Sequence, residues 1–265
     1  MSTLPTPADG FRFDAATGRD AFEPQRPGAM PDQPELPRGL VFESRADFLS
    51  ARRSFLSEVA ALPKPSRGYF ATKRAIDITF ALVIGILTLP IALVVAFLVK
   101  VHDRGPVFFA QQRTGLGGYR FRMLKFRTMC VNAEEMKAQL QHLSLVAYPD
   151  FKMDNDPRIT PVGRFLRKTF LDELPQLINV LKGEMSIVGP RPTSFAASTY
   201  SLWHTERLDA KPGITGLWQV HRDPGENNFD QRLRLDVEYL RTRTTLGDLK
   251  LIMETVLNQF RRAGK

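Results

Sequence analysis

From Ile78 to Val99 the chain runs through 22 residues without a charge, and this run limits what the rest can become. At about 1.5 Å per residue, a helix of that length measures about 33 Å, close to the thickness of a bilayer's hydrocarbon layer. Pro90 sits near the middle of the run. A proline inside a helix removes one backbone donor and crowds the preceding turn, so it kinks or breaks the helix. Lys73-Arg74-Ala75-Ile76-Asp77 leads into the run and Lys100-Val101-His102-Asp103-Arg104 leaves it, so basic residues flank both ends. That symmetry removes the charge bias that assigns inside and outside. Three arrangements satisfy these facts: a kinked span, a helix that bends at Leu89-Pro90 and returns to the face it entered, or a buried helix of a soluble core. A cleaved signal peptide does not, because the run starts far from the N-terminus and exceeds the length of a signal core.

The formal net charge is +9, and it is not spread evenly. Up to Pro65 nine acidic residues outnumber eight basic ones, so the excess belongs to the part that carries the apolar run. A basic body joined to a membrane segment suits anionic lipids, phosphorylated substrates or both. Nucleic acid would also suit the charge, but the basic residues bracket an apolar run and no interleaved stacking motif accompanies them. The single cysteine, Cys130, excludes an internal disulfide framework and favours a reducing compartment.

Residues 1–65 hold nine of the nineteen prolines and read as a flexible tail. Within it Phe48, Leu49, Phe55, Leu56 and Val59 fall at helical spacing, which predicts a short amphipathic helix near 42–62. The expected division of the rest is a membrane segment over 68–103 and a folded body over 104–265. In that body Val107-Phe108-Phe109 and Tyr119 to Met123 read as strands around the Gly115-Leu116-Gly117-Gly118 turn, a small β-hairpin. Helices are expected over Ala133–Tyr148, over Pro161–Lys168, from Asp172 toward Leu181, and as two amphipathic helices at the C-terminus. The fold class expected is α+β, mostly helical.

The densest polar stretch runs from Asp156 to Pro175. Pro175 needs no donor in a helix's first turn, which places Asp172 and Glu173 at a helix beginning, where exposed amides and the helix dipole favour anions. As bare helix-start residues two acids mean little. Their setting adds weight: Arg158, Arg164, Arg167 and Lys168 precede them and Gly189-Pro190-Arg191-Pro192 follows. Arginine forks suit phosphate oxygens, a divalent ion can neutralise a diphosphate, and an aspartate can attack phosphorus to form an acyl phosphate. For the arginines the plainer alternative is a solvated charge run. Lys125-Phe126-Arg127-Thr128-Met129 offers another phosphate contact, weak by itself. In Lys211-Pro212-Gly213-Ile214-Thr215-Gly216-Leu217-Trp218 the glycines allow a tight path, and Trp218 either packs in the core or lines a base or sugar site. His204 and His221 lack the spacing of a zinc site.

Taken in order, Lys73–Asp77, Gly105–Met129, Asp156–Pro192 and Lys211–Val220 closely resemble the bacterial sugar transferase family, the monotopic phosphoglycosyl transferases acting on polyprenyl phosphate. The resemblance implies a re-entrant helix broken at Pro90 in the cytoplasmic leaflet of a bacterial inner membrane, with amphipathic helices at the interface. It implies transfer of a hexose 1-phosphate from a UDP-sugar to undecaprenyl phosphate, with release of UMP, in surface glycan synthesis. By motif match Asp172 is the nucleophile, Glu173 its partner, and Mg2+ the cofactor held there. Arg167 and Arg191 match positions near the transferred phosphate, while Lys125, Arg127 and Arg158 are assigned to phosphate or nucleotide handling. Lys73, Arg74 and Asp77 match the start of the membrane helix. Anionic lipids are further expected partners, nucleic acid is not, and a homodimer is left open. The alternative is a catalytically inactive, membrane-anchored adaptor that binds lipids or partner proteins. The chain departs from the family at Phe170, where a small serine is usual, at His221-Arg222-Asp223, and at Arg241-Thr242-Arg243-Thr244.

Overall fold

Ser66 starts the dominant element: its hydroxyl accepts a hydrogen bond from the Tyr69 amide at 3.1 Å and caps a helix, α1, over Arg67–Asp103. The computed structural model describes residues 11–14, 19–22, 65–140, 153, 155–194, 202–221 and 229–263. The amphipathic helix expected near 42–62 lies outside the described residues. Within the stretch read as a flexible tail, β1 (Phe11–Asp14) pairs antiparallel with β2 (Arg19–Phe22).

Helix α1 passes through Pro90 without losing its helical assignment, so the break expected there is not a separation into two helices. A proline leaves the carbonyl one turn earlier without its usual donor. Thr88, next to that gap, turns its hydroxyl back to the Ile84 carbonyl at 2.7 Å, a contact that tends to bend helices. The helix ends where Arg104 adopts a left-handed conformation and its amide returns to the Lys100 carbonyl at 2.9 Å.

Beyond α1 the chain forms a small, mostly helical body. Strands β3 (Phe108–Thr114) and β4 (Arg120–Phe126) make the expected hairpin around the Gly115–Gly118 turn. Helices α2 (Ala133–Leu140), α3 (Pro161–Thr169) and α4 (Gln176–Lys182) follow. A short parallel pair, β5 (Ser186–Val188) with β6 (Gly213–Thr215), lies before the helices α5 (Leu217–His221), α6 (Phe229–Thr242) and α7 (Thr245–Ala263). Leu177, Val180, Met185, Val188 and Leu240 form the main core with Ala81 of α1. A second core joins Val95 and Val99 of α1 to Phe126 and Leu166. Gly163 makes that approach possible, since a Cβ there would stand 1.9 Å from the Thr128 carbonyl oxygen. Trp218 packs in the interior at 4% exposure, with the Arg232 guanidinium 4.5 Å from its ring centroid.

The three polar residues matched to the start of the membrane helix are fastenings. Asp77 accepts hydrogen bonds from the Ser186 hydroxyl at 2.9 Å and the Ile187 amide at 2.8 Å. Arg74 donates to the Val180 and Leu181 carbonyls at the end of α4, 2.7 and 2.8 Å away, where the helix dipole favours a cation. Lys73 binds Asp248 at 2.9 Å, and the hydroxyls of Tyr69 and Tyr239 reach the same carboxylate. At the far end of α1, Asp103 pairs with both terminal nitrogens of Arg127. Thus both ends of α1 are bound to one body.

The middle is not. Ile86 and Leu87 are 70% and 72% exposed, and Leu93 and Phe97 are bare as well. Apolar surface this continuous marks contact with a membrane or another apolar phase, and α1 is long and apolar enough to cross a bilayer. In α7 the apolar face is divided: Leu251 is buried, while Leu246, Met253 and Leu257 are open.

Candidate active site

Period-2 alternation along β4 sends Phe121 and Met123 into the core and carries Lys125 toward the same side. Its register partner across the hairpin is Phe109, followed on β3 by Gln111 and Arg113 opposite Met123 and Phe121. Beneath this side lies a 3-10 turn, Leu171–Glu173. The chain enters it through Phe170, whose φ of 59° is uncommon for an aromatic residue and closes α3 abruptly. The acid pair is therefore placed one turn earlier than expected: Pro175 caps α4, which begins at Gln176, and Asp172 and Glu173 occupy their own turn before it.

The Lys125 ammonium donates to Glu173 Oε1 at 2.7 Å and stands 3.9 Å from Asp172 Oδ2. Asp172 is 8% exposed. Burial pushes its carboxyl above the ordinary range and Glu173 adds to that, with Lys125 and Arg167 offsetting part of the rise. Burial acts to raise Glu173 as well, but Lys125, Arg191 and Arg113 outweigh it and hold Glu173 below its usual value. Adjacent carboxyls pushed in opposite directions mark distinct chemical roles. The more basic Asp172 suits nucleophilic attack, and the firmly ionised Glu173 suits holding a cation.

Arg167 is oriented by the hydroxyl of Thr128, which accepts from its Nε at 2.9 Å, and its charge reaches Asp172. The structure thus brings Lys125, Arg167 and Arg191 to the acid pair. The ion pairs of Arg127 and Arg158 are with other acids. Arg127 fastens α1 through Asp103, and Gly105 makes room for it, since a Cβ there would stand 2.8 Å from the guanidinium. Arg158 forks onto Asp156 at 2.7 and 2.9 Å, both side chains buried. No motif in the sequence marks Arg113. It binds Gln111 at 2.6 Å and Ser194 at 3.2 Å and adds positive charge at Glu173; the signal that finds it is the alternation of β3 in register with Lys125.

Asp172 and Glu173 offer hard oxygen donors. Among the described residues no group of three or more His, Cys, Asp or Glu gathers as a metal cage. Two carboxylates without a third suit a magnesium ion that takes its remaining ligands from phosphate and water.

A family model described as bacterial sugar transferase matches residues 68–262, most of the chain. The chain belongs to the bacterial sugar transferase family. A galactosyl transferase, CpsE, of Streptococcus agalactiae is 44% identical over 191 residues, 71% of this chain and 42% of the relative. An undecaprenyl-phosphate galactose phosphotransferase of Salmonella typhimurium is 42% identical, over 72% of this chain and 41% of that protein. The exopolysaccharide production protein ExoY of Rhizobium meliloti is 37% identical, over 76% of this chain and 90% of its own length. The match thus spans about two fifths of the first two relatives and nearly all of the third.

Proposed function

We propose that this member of the family transfers a hexose 1-phosphate from a UDP-sugar to undecaprenyl phosphate, as an early membrane step of exopolysaccharide or surface glycan synthesis. The observation that carries the reading is the acid pair, Asp172 buried and Glu173 half-buried, with opposed protonation tendencies, set among Lys125, Arg167 and Arg191 on a body fastened to an exposed apolar helix. A carboxylate oxygen of Asp172 attacks the sugar-bearing phosphorus of the donor. The bond from that phosphorus to the bridging oxygen breaks and UMP leaves, giving an aspartyl phosphosugar. A phosphate oxygen of undecaprenyl phosphate then attacks the same phosphorus, the bond to Asp172 breaks, and the lipid diphosphate sugar is released. Preorganised cations offset the charge that accumulates between anionic reactants. Mg2+, held by Asp172 and Glu173 together with the donor's phosphates, would supply further charge neutralisation when bound.

We place α1 in the cytoplasmic leaflet as a re-entrant helix. Support comes from the attachment of both its ends to one body and from the bare middle around Pro90. The open residues Leu246, Met253 and Leu257 of α7 support an interfacial position for that helix, with anionic lipids attracted by the basic body.

Purified protein in lipid nanodiscs, given UDP-sugars one at a time with undecaprenyl phosphate, is expected to release UMP with one or more of them. Asp172→Asn is expected to fold, to remain membrane-bound and to form no phosphosugar adduct. UMP release by Asp172→Asn at the wild-type rate would refute the mechanism.

A further inference from the structure

Arg191 acts from a loop, and a loop side chain is only as well placed as its backbone. Here the backbone is held with unusual completeness. The Gly189 amide donates to the Thr215 carbonyl and the Pro190 carbonyl accepts from the Gly213 amide, both at 2.9 Å. The segments are too close for side chains, since a Cβ on Gly213 would lie 2.1 Å from the Gly189 nitrogen. Prolines on both sides of Arg191 restrict the chain further.

The backbone of Arg191 lies against one buried ion pair. Its carbonyl accepts from an Arg207 terminal nitrogen, and its amide is one of the groups that draw the Asp236 carboxyl back against the rise that burial imposes. That Arg207 nitrogen also donates to Asp236 Oδ2 at 2.6 Å, so one guanidinium nitrogen joins the carboxylate to the Arg191 carbonyl. Asp236, on α6, is 1% exposed, and Arg207, in the 3-10 turn Leu202–Asp209, is 3% exposed. Desolvating two charges is costly, and well-packed apolar residues often hold two elements together as well or better. What an apolar pair cannot supply is a directed donor for the Arg191 carbonyl.

We propose that Asp236 and Arg207 are positioning residues that set the Arg191 guanidinium for the donor's diphosphate. The inference rests on the reading that a nucleotide diphosphate binds beside the acid pair. It assigns two residues outside the four family-like stretches to the alignment of one phosphate contact.

UDP serves as the probe, its affinity measured calorimetrically on the full chain in nanodiscs, beside UMP-release kinetics and thermal midpoints. Arg191→Ala is expected to weaken UDP binding about tenfold, the loss typical of one charge-assisted contact. Arg207→Lys keeps a cation for Asp236 but not the fork, and is expected to weaken UDP about three- to tenfold and to raise KM more than it lowers kcat. The double variant Asp236→Leu with Arg207→Met removes both charges together; the same loss of affinity is expected with a thermal midpoint near the wild type's. Added to Arg191→Ala, either change should cost less than about twofold more, because a positioning residue has nothing left to position. If the double variant does not fold, Arg207→Lys decides. Wild-type UDP affinity in Arg207→Lys, losses that multiply with that of Arg191→Ala, or an Arg191→Ala protein that binds UDP normally would each overturn the proposal. Wild-type protein that binds UDP but releases no UMP would refute the proposed reaction while these affinities still decide the clamp; failure to bind UDP would refute both.

Discussion

Replacing Asp77 tests whether α1 is held to the catalytic body by chemistry or by apolar contact alone. Its Oδ1 accepts from the Ser186 hydroxyl at 2.9 Å and the Ile187 amide at 2.8 Å, with Asp77 itself 4% exposed and Ser186 fully buried. Asp77→Ala removes both bonds and leaves two buried donors without an acceptor. A hydrogen bond to a charged group contributes about 1.5–3 kcal/mol, and a buried unsatisfied donor carries its own desolvation cost. The expected loss is about 3–5 kcal/mol. Asp77→Asn keeps an oxygen that can accept from both donors and loses only the charge, so its cost should be about 1–2 kcal/mol. For a body of this size each kcal/mol lowers the thermal midpoint by about 2–4 °C, so Asp77→Ala should melt about 10 °C below wild type in nanodiscs, with Asp77→Asn between them. UMP release should fall in the same order, while both variants still sediment with membranes through the exposed middle of α1. Equal midpoints for Asp77→Ala and wild type, or an Asp77→Asn as damaging as Asp77→Ala, would refute the account of this contact.

Two further outcomes follow from the site and the helix. In the proposed mechanism Asp172 attacks as a carboxylate, and its pKa is raised, so activity should fall as pH drops through a value above the ordinary carboxylate range. Lys125 pulls that value down, so Lys125→Met should move the acid limb of the kcat/KM profile to higher pH; an unmoved limb would show that Lys125 does not control Asp172. In a Cys130→Ser background, cysteines at Thr72 and Val101, both exposed, should react with an impermeant maleimide only from the cytoplasmic side of inverted vesicles. Labelling of the two from opposite faces would establish a spanning helix.

The raised pKa of Asp172 also has a consequence for stability. An acid whose pKa is higher folded than unfolded favours the fold below its unfolded pKa, and that advantage is lost as pH rises through the folded value. Above its folded pKa, then, the ionised Asp172 is a burden to the fold that Asp172→Asn lacks. A buried charge retained at a cost to stability is expected where that charge performs chemistry.

The sequence alone determined a good deal. Local patterns are sufficient to set the apolar run, the hairpin around Gly115–Gly118 and the C-terminal helices, because periodicity and turn residues act over a few positions. Adjacency in the chain likewise marked Asp172 and Glu173, since no folding is needed to make neighbours of them. Tertiary structure decided which arginines reach them. Arg127 and Arg158 lie in motifs as basic as that of Arg167, yet Asp103 and Asp156 take up their guanidinium groups. Arg113 arrives at Glu173 from the other strand of the hairpin. The chain's direction after α3 depends on the left-handed Phe170, which moved the acids out of α4 into a turn of their own. Long-range pairing also made Lys73, Arg74 and Asp77 fastenings, and joined Asp236 to Arg207 around Arg191. The physical reason is the same in each case: a charge removed from water must find an opposite partner, and only the packed fold determines which partner is within reach.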